Sequence, residues 1–305
     1  MGTRTATTVE RDRSIDALRG LLVVALVFVE YLPPSPDFPW LRHSPWNGVR
    51  VADFVFPGFL FVVGSSMAVG RPQTWTRVVR RLAALLALGI VFNAVTDTSP
   101  LRLTGVLQMI GISGFLAAVT ARVIRRSDDL ALVAGALLLA HGAVIAHAFD
   151  VDRWVFADAR LYREGIAGHD PEGVLATVLG GTALVLLGLV ATRVRSWWVA
   201  GALVAATAVT WLAWDPNKRA WTPTLTLLMA ATFAVALLVI RHVRIPLLDA
   251  VGRNALLVYV GLHVVRELVG DGPDEHLLLY ATAAAIAWAI AAVVLGRLRI
   301  RLVVS

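Results

Sequence analysis

The chain has 305 residues, of which 58% are hydrophobic and 16% charged, and its mean hydropathy is +0.73. This balance is typical of a polytopic membrane protein and excludes an ordinary soluble domain. The net charge of +7 does not indicate nucleic-acid binding, because the basic residues are spread over short loops and form no basic domain.

Apolar stretches of about 18 to 22 residues follow one another from the N-terminus, and each is about long enough to cross a hydrocarbon core. Helices are expected because lipid offers no partners to backbone N–H and C=O groups. We predict an all-α, polytopic integral membrane protein with about ten transmembrane helices in one domain, residues 1–305. The predicted helices lie near 15–31, 51–70, 78–95, 105–123, 130–149, 172–191, 197–214, 222–240, 247–268 and 277–296.

The arginines indicate how the helices are oriented, since short cytoplasmic loops accumulate them. Arginine clusters recur in alternate loops, around residues 71–81, 122–126, 193–195, 241–244 and 297–301. We therefore predict a multi-pass protein of the cell membrane with both termini cytoplasmic and residues 150–171 outside. The first apolar run contains Asp16 and Glu30, and no small-residue cleavage site follows it, so it is interpreted as a retained helix.

Polar residues at membrane depth are costly and are therefore functional candidates. On the predicted cytoplasmic side, Asp16 and Arg19 are three residues apart on one helical face, where they can pair. Arg253 and Asn254 begin the segment GRNALLVYV. An interfacial ion pair and a simple helix start are the alternative interpretations.

The predicted outer side holds a larger polar set: Glu30, His43, Asn47, Asp53, Asp170, Glu172, Lys218 and His263. Lys218 is the only lysine of the chain. His43 lies in a proline-rich loop between two helix ends that bear carboxylates, and a fixed imidazole there suits a general base. The structural alternatives are a helix cap for Asp53 and for Asp170, and an interfacial position for Lys218.

A metal site is not expected. The chain has no cysteine, which excludes a disulfide framework, a thiolate nucleophile and a cysteine-type zinc site. His141 and His147 are six residues apart on one predicted helix and His263 stands alone, so no pair has the i, i+4 spacing that places two imidazoles on one metal.

Several stretches together resemble the heparan-α-glucosaminide N-acetyltransferase family and its bacterial relatives: RSIDALRGLLVVALVFVEY, RHSPWNGVRVADFVFPGFLFVVGSSM, RLTGVLQ, HDPEGVLATVLGG, NKRAWTPT and GRNALLVYVGLHV. The resemblance implies transfer of an acetyl group from cytosolic acetyl-CoA to an amino sugar on the far side of the membrane. It also implies a histidine in the loop after helix one, and the matching position is His43.

The chain departs from the family at Glu30, where the family has asparagine, and at Met109, where it has arginine. The large luminal domain of the lysosomal members is not expected before helix one. Helix one also resembles the membrane acyltransferases that modify sugar hydroxyls, whose arginine is followed eleven residues later by histidine; Arg19 and Glu30 have that spacing. O-acylation of a cell-envelope glycan is therefore one alternative function. A non-catalytic transporter with a polar central cavity is another.

Under the favoured interpretation, His43 is the base, and Glu30 or Asp53 orients it. Asn47, the Gly48 backbone and Lys218 are expected to stabilise the oxyanion. The remaining expected contacts with the sugar are Asp170, Glu172 and His263, and those with acetyl-CoA are Asp16, Arg19, Gln108, Arg253 and Asn254. Pro57 and Gly58 mark either a passage for the pantetheine arm or a simple kink. The expected partners are the glycan acceptor and the lipid bilayer, and a homodimer is left open.

Overall fold

The computed structural model describes residues 12–32, 37–70, 73–96, 105–147, 173, 175–243, 245–270, 276–300 and 302. Within these ranges the architecture is helical, and Asn47 and Asn217 form an isolated β-bridge. A 3₁₀ turn covers Pro39–Leu41. The helices are α1 (Arg13–Glu30), α2 (Val51–Val69), α3 (Trp75–Thr96), α4 (Val106–Val123), α5 (Ser127–His147), α6 (Ala176–Val194), α7 (Trp197–Trp211), α8 (Pro223–Ile240), α9 (Pro246–Gly252), α10 (Ala255–Val269) and α11 (Leu277–Arg297).

The predicted class, an all-α multi-pass membrane protein, is confirmed. Among the described residues, seven helices are long and apolar enough to cross a membrane, or eight if the bent pair α9 and α10 counts as one span. Helix α1 carries four charged residues, and α7 has only 15 residues. The count of about ten spans and the cytoplasmic termini therefore stay predictions.

The predicted helix 247–268 is not one straight helix. It consists of α9 and α10, which meet at an angle of 71°. Asn254 lies at the break and is 1% exposed, and its Nδ2 donates to the Ala292 carbonyl of α11 at 2.7 Å. This contact anchors the break in the protein interior, where non-helical backbone at membrane depth is tolerated.

Helices α2 and α6 form the centre of the core, and glycines allow their backbones to touch. A Cβ at Gly64 would overlap the Val185 carbonyl oxygen, and a Cβ at Gly188 would overlap the Phe61 carbonyl oxygen. Small residues at such crossings are typical of membrane helices, which associate through packing because lipid supplies no hydrophobic driving force between them. The interior of the bundle is thus built on close contact along α2.

Helix α2 continues through Pro57 without a break, so Pro57 and Gly58 do not divide it. The space beside Gly58, which was one alternative for the passage of the pantetheine arm, is filled. A Cβ at Gly58 would lie 2.5 Å from Leu22 Cδ2 and 2.7 Å from Phe233 Cζ. The close approach of α1 and α8 at this point leaves no room for a linear substrate arm.

Contacts between helix ends define two faces of the bundle. Arg122 donates to the Gln73 carbonyl, Arg193 donates to the Arg125 carbonyl at 3.1 Å, and Arg195 pairs with Asp12. We call the side that carries these residues the arginine face. The opposite side carries the start of α2 with His43, and the start of α8, and we call it the His43 face.

Candidate active site

Asp53 organises the loop before α2. Its Oδ2 accepts hydrogen bonds from the backbone N–H groups of Ser44 and Arg50, both at 2.9 Å, and its Oδ1 lies 2.8 Å from His43 Nδ1. The two backbone contacts hold the loop to the first turn of the helix. The cap position itself is Arg50, and Asp53, the third residue of the helix, bonds back to the Arg50 N–H while it also contacts His43.

The His43–Asp53 pair combines a reachable ring with a desolvated carboxylate. The His43 side chain is 52% exposed, whereas that of Asp53 is 1% exposed. When the imidazole is neutral, the N–H at Nδ1 donates to Asp53 and the lone pair lies at Nε2. The pair thus has the geometry of a general base whose tautomer and orientation are set by a buried acid.

Lys218 completes this group from the loop before α8. Its Nζ lies 3.2 Å from His43 Nδ1 and 3.9 Å from Asp53 Oδ1. An ammonium and an N–H are both donors, so we assign the interaction of Lys218 to the Asp53 carboxylate. The cation compensates the buried negative charge and keeps it available to the imidazole.

The loop that presents Lys218 is held in a strained conformation. Trp221 is fully buried at a φ of 53°, against Phe56 at 5.7 Å between ring centroids. Asn217 N–H donates to Thr222 Oγ1 at 3.0 Å, and Asn217 Oδ1 accepts from the Ala220 N–H at 2.9 Å. Non-glycine residues at positive φ are held only where surrounding contacts over-determine them, as these contacts do.

Asn47 and Gly48 connect the loop before α2, which carries His43, to the loop before α8, which carries Lys218. Asn47 Oδ1 accepts from Asn217 Nδ2 at 3.0 Å, and Asn47 Nδ2 donates to Asp215 Oδ2 at 3.2 Å. The Gly48 N–H donates to the Pro216 carbonyl at 2.8 Å. The Gly48 N–H is therefore occupied by this contact between the loops, which we call the clamp, contrary to its predicted role at an oxyanion. Lys218, by contrast, lies beside the imidazole.

Glu30 does not contact His43. It lies 3.3 Å from Arg266 Nη1 and 3.7 Å from His263 Nε2, both on α10. The His263 ring packs edge-on to Phe92 at 5.0 Å between centroids. Because Glu30 is the last residue of α1 and that face of the helix packs on α10, its charge is compensated there. Glu30 and His263 form a second polar cluster on the same side of the bundle.

A cavity of about 330 Å³ opens on the arginine face. Helix α4 forms one wall with Gly111, Gly114, Ala118 and Ala121, spaced three and four residues apart along one side. From Ile110 to Ala121 this helical wall is about 17 Å long at 1.5 Å per residue. The arginines of the cavity are Arg81, Arg122, Arg125 and Arg193.

These four arginines were not among the residues predicted to contact acetyl-CoA. In the sequence they served only to predict the orientation of the helices. The row of small residues on α4 that leads to Arg125 is the sequence pattern that could have indicated this cavity. Arginine clusters bind phosphate through several directional N–H groups, so the part of the cavity lined by the arginines suits a nucleotide. The part along Gly111, Gly114 and Ala118 of α4, which we call the slot, suits a linear arm.

The residues predicted to contact acetyl-CoA lie in three separate places. The predicted pair of Asp16 and Arg19 is confirmed at 2.8 Å, and Arg19 also donates to Ser66 at 2.8 Å, next to the cavity residue Met67. Gln108 is buried near the far end of the slot, beside Gly89 and Gly105. Arg253 is exposed, and Asn254 is hydrogen-bonded to α11 at the break between α9 and α10. Neither is among the described residues that line this cavity.

Asp170 and Glu172 lie outside the described residues, so their predicted roles stay predictions. In the part of the chain that the structure describes, no group of three or more histidine and acidic side chains could hold a metal ion.

Comparison with known proteins matches part of the chain to one family. The sequence model described as "Heparan-alpha-glucosaminide N-acetyltransferase, catalytic" matches residues 11–170, which is more than half of the chain. The heparan-alpha-glucosaminide N-acetyltransferases of Mus musculus and Homo sapiens are each 34% identical over 125 residues, which covers 36% of this chain. The match spans 19% of the length of each relative. The range matched by the family includes His43 and Asp53 and ends before Lys218.

Proposed function

The chain belongs to the heparan-alpha-glucosaminide N-acetyltransferase catalytic family, and from this premise we propose that it transfers acetyl groups from acetyl-CoA to the amine of a glucosamine-type sugar across the cell membrane. The observation that carries the proposal is the His43–Asp53 hydrogen bond of 2.8 Å, within the range that the family model matches. A base with an orienting acid is what amine acylation requires.

His43 acts on the acceptor. Attack on the thioester carbonyl needs an unprotonated amine, and as the C–N bond forms Nε2 of His43 takes the amine proton while Asp53 stabilises the imidazolium through Nδ1. The C–S bond then breaks, and the imidazolium returns this proton to the leaving coenzyme A thiolate, which regenerates the neutral base. A positioned base contributes about 10²- to 10⁴-fold. Lys218 is the cation nearest to the imidazole in the described structure, and we propose that it also stabilises negative charge on the carbonyl oxygen that is attacked.

The cavity on the arginine face fits the donor. Its four arginines match the phosphates of coenzyme A, and the slot along α4 matches an extended arm with few charges. When bound, acetyl-CoA supplies the acetyl thioester. The residues of this chain that would hold it are Arg81, Arg122, Arg125 and Arg193, with Arg19 nearby.

Separation of the two sites explains why the protein spans the membrane. Asp53 and Ser66 lie on the same helix, about 20 Å apart along its axis at 1.5 Å per residue. Asp53 belongs to the His43 face, and Ser66 binds Arg19 next to the cavity residue Met67. In this proposal, helix α2 links the sugar site on the His43 face to the acetyl-CoA site on the arginine face, and the arginine face is the cytosolic one.

The test uses purified protein in proteoliposomes with acetyl-CoA and glucosamine. We expect His43→Gln to reduce acetyl transfer by about 10²- to 10⁴-fold and to leave coenzyme A binding unchanged, because the side chain is half exposed and its loss removes little packing. We expect Arg125→Gln to weaken coenzyme A binding about tenfold, the equivalent of about 1.4 kcal/mol for one charged hydrogen bond.

Arg126→Gln is the matched control, since Arg126 is the next residue, is exposed and does not line the cavity. Transfer by His43→Gln at close to the normal rate would exclude His43 as the base. Equal coenzyme A affinities for the Arg125 and Arg126 variants would place the donor elsewhere.

A further inference from the structure

A second cavity, of about 440 Å³, lies on the arginine face. It is bounded by the start of α1, the turn between α6 and α7, the end of α8 and the start of α9. Among the described residues, the charged side chains that line it are Arg13, Arg195, Arg241, Asp12 and Asp249. It shares no lining residue with the cavity assigned to the donor. The acetyl-transfer proposal therefore gives it no role.

Arg195 is fixed at the rim of this cavity. It ends α6 at a φ of 46°, its Nε donates to the Thr192 carbonyl at 3.0 Å, and its guanidinium pairs with Asp12. Burial and the neighbouring Arg241 guanidinium lower the pKa of Arg195. Arg195 and Arg241 line the same cavity, so their guanidinium groups repel each other there, and an anion bound between them relieves that repulsion.

Asp249 adds a carboxylate to the cavity, which favours a cation as the arginines favour an anion. Its Oδ1 is buried and accepts no hydrogen bond from the described residues. A buried carboxylate oxygen is stabilised by a donor, and a positively charged N–H group is the strongest one. Asp12 is already paired with Arg195. The lining thus offers guanidinium groups to an anion and a carboxylate to a cation.

The surroundings of the cavity are those of a membrane interface. Trp197 and Trp198 at the start of α7 are 56% and 88% exposed, and Ile245 and Leu247 beside α9 are 37% and 53% exposed. Tryptophans collect at the headgroup level, and basic pockets between transmembrane helices bind lipid headgroups. Exposed apolar side chains next to the pocket provide a surface for acyl chains.

We propose that this cavity binds the headgroup of an amine-bearing phospholipid of the ethanolamine type. The phosphate lies between Arg195 and Arg241, and the ammonium pairs with Asp249. Such a lipid joins the start of α1 to the start of α9, which are far apart in the sequence.

The experiment measures lipid retention by native mass spectrometry and thermal stability of the purified protein in detergent. The probes are phosphatidylethanolamine, phosphatidylcholine, phosphatidylglycerol and soluble phosphoethanolamine. We expect phosphatidylethanolamine to bind best, because the methylated amine of phosphatidylcholine cannot donate a hydrogen bond and phosphatidylglycerol has no cation. We expect Arg241→Gln to weaken retention of phosphatidylethanolamine about tenfold.

Asp249→Asn separates the two halves of the site. It should abolish the preference for phosphatidylethanolamine over phosphatidylcholine and improve binding of phosphatidylglycerol. Arg297→Gln, an exposed residue at the end of α11, is the control and should change nothing. If Asp249→Asn does not fold, the ranking of the lipids by the wild-type protein decides.

Three results would overturn the proposal: no preference among the phospholipids, binding of soluble phosphoethanolamine as tight as that of the lipid, or displacement of the lipid by coenzyme A. None of these measurements depends on acetyl transfer, so failure here is distinct from failure of the proposed reaction.

Discussion

Asp53 shows how one side chain can serve both the fold and the site. Its Oδ2 accepts hydrogen bonds from the backbone N–H groups of Ser44 and Arg50, and its Oδ1 faces His43. The carboxylate is almost fully buried, and Lys218 is the described cation closest to it. Removing the charge while keeping the shape separates the two roles, because an amide can still accept hydrogen bonds but cannot stabilise an imidazolium.

We expect Asp53→Asn to fold with a loss of about 1–2 kcal/mol, the size of a weakened helix cap. Acetyl transfer should fall by about 10²- to 10⁴-fold, because the imidazole loses its stabilising charge and its tautomer is no longer set. Turnover and thermal unfolding in detergent measure the two effects. Asp128→Asn, at an exposed position at the start of α5, is the charge-matched control. A turnover loss no larger than the stability loss accounts for would refute the orienting role.

Among the helices, α2 determines the site most directly. Its first turn holds the His43 loop, its middle touches α6 through glycines, and its end contacts Arg19. The crossing with α6 leaves no space for a methyl group at Gly188, where the Phe61 carbonyl oxygen lies against the glycine. A helix in such contact cannot shift without moving both ends of the site.

Gly188→Ala should therefore destabilise the protein by about 1–3 kcal/mol, as overpacking does, and should lower acetyl transfer through displacement of α2. Gly201→Ala on α7 has open space around the new methyl group, and it should be neutral or stabilising by up to about 1 kcal/mol, the helix-propensity difference. Both are measured as thermal unfolding in the same detergent. Equal effects of the two substitutions would argue against a tight crossing of α2 and α6.

At the scale of the whole molecule, the arrangement of the faces decides what each site can reach. The cavity proposed for acetyl-CoA and the proposed lipid site both lie on the arginine face, and the His43–Asp53 pair lies on the other. The arginine distribution predicts that the arginine face is cytoplasmic. This orientation lets the donor come from the cytosol and the sugar from outside.

The native chain has no cysteine, so single cysteines report orientation directly. We expect an impermeant thiol reagent to label Ala159→Cys in intact cells and to leave Ser127→Cys, next to the exposed Arg126, unlabelled. Labelling of both variants after lysis is the control for accessibility. The opposite pattern in intact cells would invert the topology and, with it, the assignment of donor and acceptor sides.

Much of the fold follows from the sequence because lipid restricts the backbone to helices, and because long apolar runs can be recognised without knowledge of their partners. The bend at Asn254 could not be predicted from the sequence, because it depends on a hydrogen bond to the Ala292 carbonyl on α11. The Asp16–Arg19 pair was predictable because its members are one helical turn apart.

For the site, sequence alone determined that His43 and Asp53 are candidates, because they are ten residues apart around one helix start and carry complementary chemistry. Only the tertiary structure decided that Asp53 rather than Glu30 contacts the imidazole, that Lys218 joins it, and that Gly48 is committed to the clamp. The physical reason is that these contacts depend on helix rotation and on loops brought together from distant parts of the chain. Sequence spacing reports neighbours on one element, whereas packing between elements decides which charges meet.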